Sequence, residues 1–108
     1  MKRLVFLGNA RAELRNFPED ARRQIGTELR RVQEGLEPFD WKPVNTVGSG
    51  VREIRVRDAS GAYRVLYVAT LVEAIYVLHS FQKKTQATPK RDLDLATLRY
   101  RLLMQERR

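Results

Sequence analysis

An α+β domain is predicted by three features of this 108-residue chain. Apolar residues recur at steps of three and four from Ala21 to Leu36, as one buried face of a helix requires. Between Val51 and Gln82, three strand-like stretches follow one another through short turns, the pattern of an antiparallel meander. After Thr88-Pro89 a second helical pattern runs to the end. The predicted order is an N-terminal strand, a two-helix hairpin, a three-stranded meander joined with the first strand into one sheet, and a C-terminal helix. A single domain over residues 1–108 is expected, because a chain of this length buries roughly two thirds of its unfolded surface in one core.

Each element has its own signal. Lys2 to Leu7 reads as a short strand; it faintly imitates a signal peptide, but Arg11 and Glu13 interrupt the apolar run too early. Asn9 is a suitable N-cap for a short helix with Ala10, Leu14 and Phe17 on one face. Pro18 ends that helix and can open the next. Ala21, Ile25, Leu29, Val32 and Leu36 form the stripe of the second helix, with Arg22, Arg23, Arg30 and Arg31 opposite and Gly35 placed to stop it. Leu36 to Gly50 reads as loop, with Trp41 a plug at the domain edge. Val51 to Arg57 alternates, and Asp58-Ala59-Ser60-Gly61 reverses the chain into Tyr63 to Ala69. A second reversal at Thr70 to Glu73 leads into Ala74 to Gln82. Thr88 and Pro89 supply an N-cap and a first-turn proline for the last helix. There Leu93, Leu95, Ala96, Leu98, Tyr100, Leu102 and Leu103 make one broad apolar face, and Arg107-Arg108 extend into water.

Composition narrows the function. With 21 Lys plus Arg against 13 Asp plus Glu, the formal charge is +8. Residues 1–54 carry 10 basic and 8 acidic side chains (+2), and residues 55–108 carry 11 and 5 (+6). A basic surface gathered in one half suits a polyanion such as nucleic acid, since each cation can neutralise a phosphate and release counterions. The absence of cysteine excludes disulfides, thiolate nucleophiles and Cys-ligated zinc. With one His and no carboxylate cluster on the basic sheet, neither a metal nor another cofactor is expected. No apolar run approaches the roughly 20 residues that span a bilayer, so a cytoplasmic protein is expected.

The basic residues fall on the meander. Arg52, Arg55, Arg57, Arg64, His79, Lys83 and Lys84 stand there against Glu53, Asp58 and Glu73. Arg64 shares a strand face with Leu66 and Val68, where pattern alone calls for an apolar side chain. Two readings stand: a rim arginine whose stem covers the core, or a rigid fork that grips phosphate. Alternation also places Ile75, Val77, His79, Phe81 and Lys83 on one face, with Lys84 next. His79 is then either a hydrogen-bonded structural residue or, among cations that favour a neutral imidazole, a general base or acid. RNA brings its own nucleophile, the ribose 2′-hydroxyl, so a base, an acid and cations suffice in kind to cut it. Tyr63, Tyr67 and Phe81 could stack an unpaired base or fill the core.

Two segments carry a family resemblance. Gly61-Ala62-Tyr63-Arg64-Val65-Leu66-Tyr67-Val68-Ala69 and Phe81-Gln82-Lys83-Lys84-Thr85 with Thr88-Pro89, in this element order, resemble the RelE/ParE toxin superfamily, and within it the phage-derived, HigB-like branch of type II toxin–antitoxin toxins. Asp40-Trp41-Lys42-Pro43 also fits, and the resemblance covers nearly the whole chain.

The resemblance implies a RelE-like fold and a ribosome-dependent mRNA endoribonuclease, or mRNA interferase, that inhibits translation without a metal. It implies catalytic roles for Arg64, His79, Lys83 and Lys84, with Arg55, Arg57, Tyr67 and Phe81 binding RNA. Glu53 departs from relatives that hold a lysine there, so either that role is absent or a carboxylate replaces it as base. The implied partners are the ribosome, mRNA and a cognate antitoxin, usually of helix-turn-helix type, in a toxin–antitoxin hetero-oligomer. The arginines of the hairpin offer an acidic antitoxin a docking face, or are an ordinary solvated surface. Two rivals remain: a ParE-like poison of DNA gyrase, and a non-catalytic RNA-binding module whose binding would be steeply salt-dependent.

Overall fold

The computed structural model describes residues 1–107; Arg108, expected in water, lies outside the described residues. The elements are β1 (Leu4–Phe6), α1 (Ala10–Arg15), α2 (Glu19–Gln33), β2 (Trp41–Pro43), β3 (Val51–Asp58), β4 (Gly61–Val68), β5 (Ile75–Lys83) and α3 (Lys90–Glu106). The strands form one sheet in the order β1-β5-β4-β3-β2. β3, β4 and β5 pair antiparallel as the predicted meander, and β1 joins them parallel to β5. The α+β architecture and its element order are those expected, with one strand more.

The added strand lies within the segment of loop chemistry. Trp41, Lys42 and Pro43 pair with Ile54, Glu53 and Arg52 along the sheet edge, a position that tolerates proline because no inner ladder needs its missing N–H. Trp41 is therefore no plug. Its ring is half-exposed, with the Arg52 guanidinium stacked 3.9 Å from its centre.

Cross-strand partners share a face, and the register sorts the sheet into two. One face packs Ile54, Val56, Tyr63, Val65, Tyr67, Ile75 and Val77 against Ala21, Ile25, Leu29 and Val32 of α2. The other packs Val51, Leu66, Val68, Tyr76, Leu78 and Phe81 against Ala96 and Leu103 of α3. Each large side chain removed from water in these layers contributes roughly 1.5–3 kcal/mol.

Helix ends depart from the expected caps. Neither Asn9 nor any residue before α3 makes a side-chain cap; Pro89 itself occupies the N-cap position, and Thr88 turns its hydroxyl to Glu53. Gly35 does stop α2, at φ +85°, so Leu36 lies past the helix and stays half exposed. On α3 the apolar residues do not make one face. Ala96 and Leu103 are buried, whereas Leu98 and Leu102 remain 47% and 49% exposed, because at about 100° per residue they lie about 200° and 240° round the helix from Ala96. Arg107 is not free in water: its guanidinium meets both carboxylate oxygens of Glu73 at 2.6 and 3.0 Å, pinning the end of α3 to the β4–β5 connection.

A β-bulge decides the faces of β5. Leu66 pairs with His79 but Tyr67 pairs with Val77, so Leu78 is an extra residue in the ladder. Alternation is broken there. Ile75 and Val77 face the helical hairpin, whereas His79, Phe81 and Lys83 come round to the α3 side. The predicted single face is thus two half-faces. The Leu78 carbonyl accepts a 2.8 Å hydrogen bond from Arg99 of α3. Room for that arginine comes from Gly8, where a Cβ would lie 2.6 Å from its Nε.

Candidate nucleic-acid interface

α3 covers only part of its face of the sheet. Toward the β3–β4 turn, the register sets Arg55 opposite Arg64, Arg57 opposite Ala62, Arg64 opposite Phe81 and Ala62 opposite Lys83. Lys42 on β2 sits across from Glu53 on the same side. Arg55, Arg57, Arg64, Lys83 and Lys84 line a groove of about 600 Å³ whose lining includes Gly61 and Ala62. Ala62, between Arg57 and Lys83 in the register, leaves the space between those cations unfilled.

One carboxylate lies beneath the cations. Glu53 is 0% exposed; its Oε1 is 3.5 Å from Arg64 Nε and 3.9 Å from Lys42 Nζ, and its Oε2 accepts from the Thr88 hydroxyl at 3.3 Å. Arg64 is held from its other end as well, its Nη1 donating to the Tyr63 carbonyl at 3.0 Å. The Arg64–Glu53 contact is an ion pair without a well-formed hydrogen bond, and Arg64 Nε, Arg55 Nε and Glu53 Oε1 are all buried with no hydrogen-bond partner. Unsatisfied buried donors are costly, and a phosphate entering the groove would bring acceptors to the two arginines. Burial pushes the Arg64 pKa down, with Glu53 opposing. Burial, then the charge of Arg64, lowers that of Lys83. A lysine lowered in this way is better suited than an ordinary one to exchange a proton.

The structure brings together five of the eight predicted site residues: Arg55, Arg57, Arg64, Lys83 and Lys84. Phe81 is on the same face but buried, stacked on the His79 ring at 5.2 Å. Tyr67 lies apart from the groove: it points to the opposite face and is 1% exposed under α2, since odd-numbered positions of β4 face the hairpin, where it lines a separate pocket with Arg52. Tyr63 shares that face, against Phe17 at 4.7 Å.

His79 lies outside the groove as well. The bulge carries it to the junction of α1, β5 and α3, where its Nε2 lies 2.7 Å from Asp92 Oδ1 and its Nδ1 3.1 Å from Glu13 Oε1. Arg99 also approaches Nδ1, at 3.4 Å. Its hydrogen-bond partners are these carboxylates, and it lines a cavity with Phe81 and Lys84 that does not include Lys83. Sequence reasoning misses Lys42, Thr88 and this carboxylate pair. Lys42 alternates with Trp41 on a strand too short to show a period; Thr88 reads as a cap; Glu13 and Asp92 give no signal.

Residues 12–101 match the model of the family described as Phage derived protein Gp49-like (DUF891). The chain belongs to this family. The match runs from α1 into α3 and includes every residue of the groove. No curated protein matches the chain. The Gp49-like family is toxin-like, in keeping with the broader, RelE-related half of the resemblance, and it carries no assignment to the HigB-like branch. In this Gp49-like protein no described helix is long and apolar enough to cross a membrane.

Proposed function

We propose that this protein is the toxin of a type II toxin–antitoxin pair, and that it inhibits translation by cutting mRNA on the ribosome. The observation that carries this reading is the groove: four further cations around Arg64, its guanidinium held in the floor and Lys83 beside it with a lowered pKa. In the reaction the 2′-oxygen bonds to the adjacent phosphorus as its proton leaves, and the phosphorus–5′-oxygen bond breaks as that oxygen is protonated. Arg64, Arg55 and Arg57 offset the charge that builds on the phosphate oxygens. Lys83 moves a proton, Lys84 holds the flanking backbone, and no metal is needed. His79 positions β5 between α1 and α3 rather than touching substrate.

The partners are mRNA, the ribosome and a cognate antitoxin, of helix-turn-helix type, in a hetero-oligomer. The hairpin's outer face is mixed in charge rather than purely basic: Arg23 meets Glu19 and Asp20, Arg30 meets Glu34, and Arg31 lies 3.8 Å over the Phe39 ring.

Primer extension on a defined mRNA in a purified translation system tests the proposal, with Arg64→Ala and Lys83→Ala variants and a ribosome-free control. Cuts that need ribosomes and fade in both variants are expected. No cuts with translation undisturbed would move the gyrase-poison or pure RNA-binding reading to first place.

A further inference from the structure

Glu53 is an anomaly of both pattern and energy. It stands on an inner strand between Val51 and Arg55, on the face where Val51 and Leu66, the cross-strand partner of Glu53, are fully buried. Its side chain is 1% exposed, and burying an isolated carboxylate costs several kcal/mol unless cations or donors compensate. The compensation is unusual in kind. Oε1 receives no hydrogen bond and faces two cations at 3.5 and 3.9 Å, one from β4 and one from β2. Oε2 takes the Thr88 hydroxyl from the segment between β5 and α3, which also carries Lys84. The groove's Arg64, the edge strand β2 and the segment between β5 and α3 thus converge on one buried charge.

We propose that Glu53 is a positioning residue: it assembles the cationic groove before RNA arrives, by holding Arg64, Lys42 and the Thr88 segment in fixed relation. Cations crowded on one sheet face repel one another and would splay outward in water. A carboxylate beneath them offsets that repulsion and turns the guanidinium of Arg64 along the floor. Acting through its field, and through a single accepted hydrogen bond, it leaves the remaining donors of these cations for phosphate. Such pre-organisation spares the site a rearrangement at the moment charge develops on the phosphate. With no exposure, Glu53 cannot take the 2′-hydroxyl proton, which answers the alternative of a carboxylate base. The influence extends to Lys83, whose pKa Glu53 raises against the lowering by burial and Arg64.

The catalytic consequence rests on the ribonuclease reading above; the assembly itself does not. Glu53→Gln keeps the shape and removes the charge, and two measurements follow it. NMR titration of the Lys83 side chain is expected to show a midpoint at lower pH in the Gln variant, because the carboxylate that supports the ammonium is gone. Ribosome-dependent cleavage is expected to fall about 10–100-fold in kcat without a rise in KM, with the Lys83-dependent limb of its pH profile moving the same way. Glu53→Asp, which keeps the charge but withdraws it by one methylene, is expected to fall between wild type and Gln in both; it replaces the Gln variant if that one fails to fold. A Lys83 midpoint and pH profile unchanged in the folded variant would overturn the proposal. Should the wild-type protein cut nothing, the ribonuclease reading alone fails, and the Lys83 midpoint still decides whether Glu53 organises the groove.

Discussion

On the hairpin side of the sheet the buried layer runs from β3 to β5, with Ile54, Val56, Tyr63, Val65 and Tyr67 closed beneath α2, and Ser80 and Gln82 share that face at the far end of β5. On the α3 side the same three strands are apolar only at one end, and at the other they present Arg55, Arg57, Arg64 and Lys83 to an open groove. The two faces differ in how far a helix covers them. On the hairpin face the large buried side chains are apolar. A face covered in part can hold charge where the cover stops, provided something such as Glu53 offsets the crowding.

The largest effect is expected from Tyr67→Ala, which removes a ring from the covered face. Loss of about 3–5 kcal/mol in denaturant unfolding, with unchanged RNA affinity per folded molecule, would fit its buried position; normal stability with weakened RNA binding would return Tyr67 to the interface. On the open face, Arg64→Lys keeps the charge but loses the fork. Cleavage should drop about 100-fold while the unfolding midpoint barely moves, and the reverse outcome would make Arg64 a structural residue.

Smaller effects sharpen the picture. Replacing Arg55 and Arg57 with Gln should flatten the salt dependence of single-stranded RNA binding, by about 0.7 in the log–log slope for each phosphate no longer neutralised. Fluorescence anisotropy between low and physiological salt measures it; an unaltered slope would place the RNA elsewhere. The smallest effect concerns how α3 is held over its half of the sheet. The hydrogen bonds from Arg107 hold the Glu73 pKa at about 2 instead of the ordinary 4.5. Because the folded value is the lower one, this contribution is complete above about pH 4.5 and fades as the pH falls toward 2. Glu73→Gln should therefore lower Tm slightly at pH 6 and much less near pH 2; an equal difference at both would mean that the ion pair adds no stability.

Legibility in the sequence follows the length of the signal. The α2 stripe and the three long strands repeat over enough residues for their period to show, and Arg64 is visible because it interrupts one. β2 has three residues, too few for alternation to show. Alternation separates the two faces of a strand, but it does not say which face a helix will cover, so it cannot tell that Tyr67 lies under α2. His79 fails for a different reason: a bulge exists only in the pairing of two strands, and nothing within β5 announces it. The groove is more legible than its supports, since Lys42 and Thr88 join it only through the register and the path of the chain.

Leu78 is a beat that the β4–β5 ladder does not count. Odd positions of β5 belong to the hairpin core before it and to the α3 side after it. Were the ladder to count it, Ser80 and Gln82 would come to the groove, and Phe81 and Lys83 would turn away toward the hairpin. Deleting Leu78 would leave the rhythm of the remaining residues intact, whereas deleting one residue between it and Lys83 would throw Lys83 out of step. The reach of the groove lysine is thus set by spacing counted from a leucine that itself packs only in the apolar layer under α3.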